Sequence, residues 1–331
     1  MPLTIHKLAS RLTFRQLQVF KAVYELRSYS KAGELLGLTQ PAVSSQMRHL
    51  EQAVGMPMFE YVGRKLYCTA PGEEVAACVH SVFRELAGMQ NRLAALEGRV
   101  AGDLRLVAVS TAQYVVPYLL NAFLQLNPQV HVSVSVVNRA TALQRLQDNS
   151  DDLVIMGMVP PDRPLASLPF LDNELVPVVP AGHPLLAQEV VRPEDFLGSQ
   201  LLAREPGSGS RLALEVYCQQ QRLKLEPAME LGSNEAIKHA VAAGLGVAVI
   251  PKLSILSELA LGTVQSVEMP GFPLRRSWCV VYPQARQPTP VMQAFIDYIQ
   301  QDLARFGRLF QQLGRGSQPD TSRQACEQGS H

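Results

Sequence analysis

Two short amphipathic runs meet at Leu36-Gly37-Leu38-Thr39-Gln40-Pro41, and this junction confines residues 30–55 to a pair of helices joined by a tight turn. Ser30 is predicted to cap the first helix, and Gly37 supplies the left-handed residue that ends it. Thr39 can cap the second, with Pro41 in its first turn, where a missing N–H does no harm. Val43, Met47, Leu50 and Val54 then share one face, opposite Gln40, Ser44, Ser45, Arg48 and Gln52. A free face of small hydroxyls, amides and one arginine suits the base edges and phosphates of a DNA major groove. The alternative is an ordinary surface helix in a bundle, because short helix pairs are common.

The flanks favour the first reading. Thr13 and Gln16 form a capping box opening an earlier helix, whose Leu17, Phe20 and Tyr24 offer a packing surface. Met58–Cys68 reads as two short strands around a Val62-Gly63-Arg64-Lys65 turn, a wing that sets Arg64 and Lys65 against a phosphate backbone. Residues 1–70 hold nine Lys and Arg against four Glu, a net +5, in a chain whose total is +1. The remainder is therefore acidic, and a basic module on an acidic body fits polyanion binding at one end. The excess is modest, which argues for two copies acting together.

Val75, Val79, Val82, Leu86, Met89, Leu93 and Leu96 recur at alternating spacings of four and three. That 3.5-residue repeat marks a coiled-coil seam on a linker helix over residues 71–98, with Pro71 to start it and Gly98 to stop it. Such a helix is about 40 Å long. Packing along its own domain's core is the competing explanation; self-pairing is preferred, because the stripe is narrow and a helix linking two modules has little core of its own, and two modules would then meet an operator with two half-sites.

From residue 103 the pattern alternates. Strands are expected at 104–109, 130–137, 153–156, 175–179, 199–203, 228–231, 247–250, 264–267 and 278–282. Helices are expected at 116–126, 140–147, 211–221, 234–243 and 290–303. This predicts a parallel α/β body, split by its strand number into two small sheets. The tail, 314–331, has the composition of a disordered segment. The 331 residues leave room for about two domains. Without an apolar run of about 18 residues or a signal-peptide pattern, a cytoplasmic protein with no membrane segment is expected. Cys68, Cys78, Cys218, Cys279 and Cys326 form no CxxC and no metal-ligand spacing, so they read as reduced thiols with no metal.

Three strand-to-helix turns can meet an anion at a helix N-terminus: Ser110-Thr111, the loop Arg204-Glu-Pro-Gly-Ser208-Gly209-Ser210-Arg211, and Gly232-Ser233-Asn234-Glu235. Each can equally be plain capping. The glycine loop lacks a dinucleotide fingerprint, and no P-loop, HExxH or nucleophile elbow occurs, so a catalytic role is not expected.

Phe14-Arg-Gln-Leu-Gln-Val-Phe20, Thr39-Gln-Pro-Ala-Val-Ser-Ser-Gln46, Leu50-Glu51 and Met58-Phe-Glu60 resemble the DNA-binding module of LysR-type transcriptional regulators, a likeness that runs from about residue 12 to 303. The body is most similar to the CbbR branch, regulators of Calvin-cycle (RuBisCO) operons. The stretches that carry this include Val109-Ser-Thr-Ala112, Asn138-Arg139, Ile155-Met-Gly157, Arg204–Gly209 and Leu231–Lys238. The resemblance implies a winged helix-turn-helix domain (12–70), a linker coiled-coil helix and a two-lobed, periplasmic-binding-protein-like α/β effector domain (103–303). Lobe I would comprise about 103–175 plus 282–303, and lobe II about 176–281. It also implies a homotetramer of paired dimers on bent double-stranded promoter DNA, an activator working through RNA polymerase.

On this resemblance Lys31, Thr39, Gln40, Pro41, Ser44, Ser45, Arg48, Arg64 and Lys65 would meet DNA. Ser110, Thr111, Gln113, Asn138, Arg139, Gly157, Arg204, Ser208, Gly209, Ser210, Arg211, Ser233, Asn234 and Glu235 would surround the effector. No tightly bound cofactor is implied; the implied effector is a phosphorylated metabolite or NADPH. The chain departs from the family at Ser45 and Tyr61, and from the branch at Gln113, where a lysine is usual, and at Ala140. A LysR-type regulator of another operon with a non-phosphorylated effector is the nearer alternative. A two-lobed solute-binding or catalytic protein is the distant one.

Overall fold

In the computed structural model, which describes residues 8–97, 99–303 and 306, the N-terminal helices begin where a side-chain oxygen holds the first free amides. Helix α1 (Phe14–Leu26) opens on the capping box: Gln16 N–H donates to Thr13 Oγ1 at 3.2 Å and Thr13 N–H to Gln16 Oε1 at 2.9 Å. Helix α2 (Tyr29–Leu36) is capped by Ser28, whose Oγ accepts from Lys31 N–H at 3.3 Å, and not by Ser30. Arg27 causes that shift: it ends α1 in the left-handed region (φ 47°), leaving Ser28 extended and ready to cap. Thr39 caps α3 (Gln40–Val54), and Gly37 (φ 63°) ends α2. Gly33 lets α2 approach the turn, since a Cβ there would lie 2.7 Å from the Leu38 carbonyl oxygen. Val19, Phe20, Val23, Val43, Met47 and Leu50 close the core. Strands β1 (Phe59–Val62) and β2 (Lys65–Cys68) pair antiparallel, with Gly63 and Arg64 at the tip.

Helix α4 (Ala70–Leu96) corrects the expected seam. Val79 is 1% exposed and, with Ala76, belongs to the core of α1–α3; Val75 packs on the same cluster. Val82 is half-buried. These positions repeat every 3.5 residues because the first turns of α4 need an apolar face for their own module. Only the distal half is open: Leu86 (37% exposed), Met89 (48%), Leu93 (54%) and Leu96 (85%).

The chain divides after Gln90 into two compact units. In the second, β3 (Gly102–Val109), α5 (Val116–Leu126), β4 (Val130–Val137), α6 (Arg139–Gln147) and β5 (Leu153–Met156) alternate as expected. Strand β6 (Leu165–Pro180) is followed by α7 (Pro193–Leu197), β7 (Leu201–Arg204), α8 (Gly209–Gln221), β8 (Met229–Leu231), α9 (Asn234–Ala242), β9 (Val247–Pro251), α10 (Leu256–Leu261) and β10 (Val264–Ser266). Strand β11 (Leu274–Pro283) and α11 (Pro290–Gln301) complete it.

Two expectations about this sheet need correction. Among the described residues the strands form one hydrogen-bonded order, β4-β3-β5-β11-β6-β9-β7-β8, with β10 on β6, rather than two separate sheets. The sheet is also mixed: β3–β4, β3–β5, β7–β8 and β7–β9 are parallel, whereas β6 and β11 run antiparallel to each other and to their other neighbours. These two strands pass from one lobe to the other. Phe170 and Trp278 lie in the core of lobe I, Leu175 and Leu274 in a core of lobe II. The return to lobe I therefore falls at residues 275–277, earlier than the expected 282. Cys218 and Cys279 are free thiols in different cores, and burial pushes both up from their ordinary pKa. The tail 314–331 lies outside the described residues.

Candidate DNA-reading surface and effector cleft

The burial of Val43, Met47 and Leu50 turns the opposite face of α3 outward, so Gln40, Pro41, Ser45, Arg48 and Gln52 are exposed and Ser44 half-buried. Gln40 Nε2 donates to Ser44 Oγ at 2.9 Å, which holds the amide along the helix. Lys31, Arg48, Arg64 and Lys65 are exposed, and among the described residues their side chains have no ion-pair or hydrogen-bond partner. A groove lined by Arg27, Ser30, Gln40, Tyr61, Arg64 and Lys65 joins the start of α3 to the wing. Arg27 is committed elsewhere, over the Tyr24 ring at 4.3 Å and 3.7 Å from Glu73. Tyr61, 65% exposed, adds a hydroxyl to this surface.

In the second unit the predicted turns gather between the lobes, but their residues divide into different tasks. Asn138, Ser208 and Ser233 are helix caps, accepting from the amides of Thr141, Arg211 and Ala236. Arg211 is bound to Glu215 (2.7 Å) and Glu230 (3.1 Å) within lobe II and takes no part in the cleft lining. Gln113 is half-buried in a 3-10 turn. Asn234 is fully buried with both side-chain polar atoms unpartnered.

The cleft floor is lined by Thr111, Arg139, Gly157, Met158, Asn173, Gly209, Ser210 and Arg276, among others. Thr111 Oγ1 accepts from Trp278 Nε1 at 3.3 Å. Met158 has φ 54°, an unfavourable left-handed backbone for a side chain of its size. Its carbonyl takes Arg139 Nε at 2.8 Å and its sulfur takes Arg276 Nε at 3.1 Å. Burial, and then the neighbouring Arg163 charge, lower the pKa of Arg139 from its ordinary value. Asn173 Oδ1 and Ser210 Oγ are buried without partners. Two arginines, an orphaned hydroxyl and the N-terminus of α8 thus converge on a cavity of about 20 Å³, room for about one water.

Further out, polar contacts bridge the lobes. Arg204 Nη1 donates to Ser110 Oγ at 3.1 Å, and Ala140 N–H donates to the Gly207 carbonyl at 3.0 Å. The Tyr114 hydroxyl donates to Glu235 at 2.5 Å. Burial and that bond raise the Tyr114 pKa. Burial alone would raise Glu235, but Tyr114 and Lys238 outweigh it and hold the carboxyl below its ordinary value. Sequence reasoning missed Asn173, Arg276, Met158 and Tyr114. None of the four stands in a glycine-rich turn, and only the crossing of β6 and β11 brings the first two to the cleft.

Residues 14–73 match the family model described as bacterial regulatory helix-turn-helix protein, lysR family, and residues 97–304 match the LysR substrate binding domain. The chain belongs to the LysR family. Membership makes it a transcriptional regulator with a DNA-binding helix-turn-helix. This LysR chain is 39% identical over 287 residues to a RuBisCO operon transcriptional regulator of Acidithiobacillus ferrooxidans, spanning 87% of this chain and 93% of that one. The CcmR regulatory domain of Synechocystis, solved in complex with 2-PG, aligns with a TM-score of 0.57 at 35% identity, covering 60% of this chain and 96% of that domain. Full-length CbnR, solved with its target DNA, shares the fold with a TM-score of 0.67 over 88% of this LysR chain and 99% of CbnR, at 20% identity. Among the described residues of the LysR chain no helix is long and apolar enough to cross a membrane, and no His, Cys, Asp or Glu cluster could hold a metal ion.

Proposed function

We propose that this LysR-type regulator controls a CO2-fixation operon from the cytoplasm, as an activator whose paired dimers bend promoter DNA and whose cleft senses a small phosphorylated anion or NADPH. The convergence of Arg139 and Arg276 on the unpartnered Ser210 hydroxyl carries the effector reading. An anionic group of the effector can satisfy these donors and the α8 N-terminus together. Likeness to a RuBisCO operon regulator and to a domain complexed with 2-PG supports the operon and ligand class. The cavity is too small for such a ligand as it stands, so binding must move the lining arginines or part the lobes. A ligand that favours the parted state can shift the dimer arrangement and the DNA bend seen by RNA polymerase.

On the DNA side, Gln40, Ser44, Ser45 and Arg48 would read bases from α3 while Thr39 and Pro41 set its first turn; Lys31, Arg64 and Lys65 would hold phosphates. Replacing Arg48 with Ala should weaken operator binding by about 1–3 kcal/mol and relax the base preference at one position of each half-site. A gel shift with unaltered affinity and footprint would remove Arg48 from base reading. Replacing Arg64 and Lys65 together by Ala should weaken all DNA sequences alike. It should also flatten log K against log salt by about 0.9 for each phosphate that is no longer neutralised. Footprinting on a RuBisCO-operon promoter, with and without 2-phosphoglycolate or NADPH, tests the whole reading; no sequence-specific complex at moderate salt would overturn it.

A further inference from the structure

Arg204 is 2% exposed, yet its charge is already matched by the next residue in the chain. Glu205 takes Arg204 Nε at 2.8 Å and Nη2 at 3.0 Å, a bidentate pair, and its Oε1 also accepts from Asn138 Nδ2 of lobe I at 3.4 Å. The third guanidinium nitrogen crosses to Ser110. The Glu205 backbone is held at both ends, its N–H on the Leu231 carbonyl and its carbonyl on Ser208 N–H. Its side chain is 27% exposed, so the carboxylate has a path to water that Arg204 lacks. A buried guanidinium cannot be left without a counter-charge.

We infer that Glu205 is a built-in competitor anion that sets which ligands the cleft accepts: a phosphate group displaces it from Arg204, and a lone carboxylate does not. The inference rests on the proposal that a phosphorylated anion enters this cleft, with its phosphoryl group on Arg204 and a second anionic group on Arg139, Arg276 and Ser210. A free monocarboxylate offers Arg204 the same charge and the same two oxygens as Glu205. It gains nothing, because the tethered carboxylate acts at a high effective concentration. A phosphomonoester carries up to two charges and three acceptor oxygens. Two oxygens can replace Glu205 on the guanidinium while the third takes Ser110 or the Asn138 amide. Rejection of monoanions is then specificity obtained from an internal rival, not from a clash.

Calorimetry on the full-length protein, in buffer without phosphate or sulfate, separates this from a purely structural ion pair. Wild type should bind 2-phosphoglycolate at least about tenfold more tightly than glycolate, and Glu205→Gln should shrink that ratio by about tenfold, chiefly by tightening glycolate. Glu205→Ala should change the ratio in the same direction. The sole tryptophan, Trp278, is buried in the core of lobe I, donates to the cleft residue Thr111, and reports through its emission whether each variant keeps that core and its cleft contact folded. An unchanged ratio in folded variants overturns the inference while leaving the phosphate effector standing. Equal wild-type binding of glycolate and 2-phosphoglycolate overturns it without any variant. Binding of neither ligand to any of the proteins, with NADPH failing to bind as well, overturns both readings.

Discussion

Glutamate at both Leu86 and Leu93 should convert the protein to monomers and lower operator affinity by about two to four orders of magnitude, the range by which linking two modules exceeds one. Leu86, Met89, Leu93 and Leu96 are apolar, exposed and spaced by three and four on one long helix. Burying a leucine contributes about 1.5–3 kcal/mol, and a two-fold seam counts each position twice. Glutamates there would forgo that burial and repel across the seam. Sedimentation and gel shift measured on one sample check both halves of the expectation. A persistent dimer with undiminished affinity would place the dimer interface elsewhere. The same substitution at Val79 should instead unfold the N-terminal module, because that side chain belongs to its core.

Phe295→Ala should lower the stability of the second unit by about 3–5 kcal/mol, the usual cost of an aromatic deleted from a core. Phe295 is fully buried, edge-on to Phe123 with ring centres 5.0 Å apart, in a chain that continues through Tyr298 to Phe306. For a unit of this size the midpoint should fall by about 6–20 °C. Phe20, Met47 and Leu50 form a separate core, so the transition of the N-terminal unit should stay in place. Differential scanning calorimetry reads both transitions. Their moving together would mean that the two units unfold as one.

Much of this architecture is legible in the sequence because local rules coincide with tertiary demands. Thr13, Thr39, Gly37 and Pro41 announce helix ends by their own chemistry, and β4, β5 and α5 have the expected limits because apolar runs bounded by polar or turn residues define them. The failures have physical causes. A run of valines at 3.5-residue spacing looks the same whether it packs on a partner or on its own module. The first half of β6 is unreadable because Pro169, Asp172, Asn173 and Glu174 interrupt the apolar pattern where the strand passes between lobes. Arg204 is legible as a cation, but a partner one position away in sequence leaves no periodic trace, so nothing marks Glu205. Asn173 and Arg276 come from strands a hundred residues apart, and only folding makes them neighbours.

Those two residues are cross-strand partners, directly opposite each other where β6 and β11 leave one lobe for the next. They therefore sit at the fulcrum of any lobe rotation, where a contact exerts almost no leverage. Thr111 follows β3 on one arm, and Ser210 stands in α8 on the other. A ligand whose contacts lay at the fulcrum alone would favour neither lobe angle over the other. Contacts to Thr111 and Ser210, one from each arm, would carry any preference between angles.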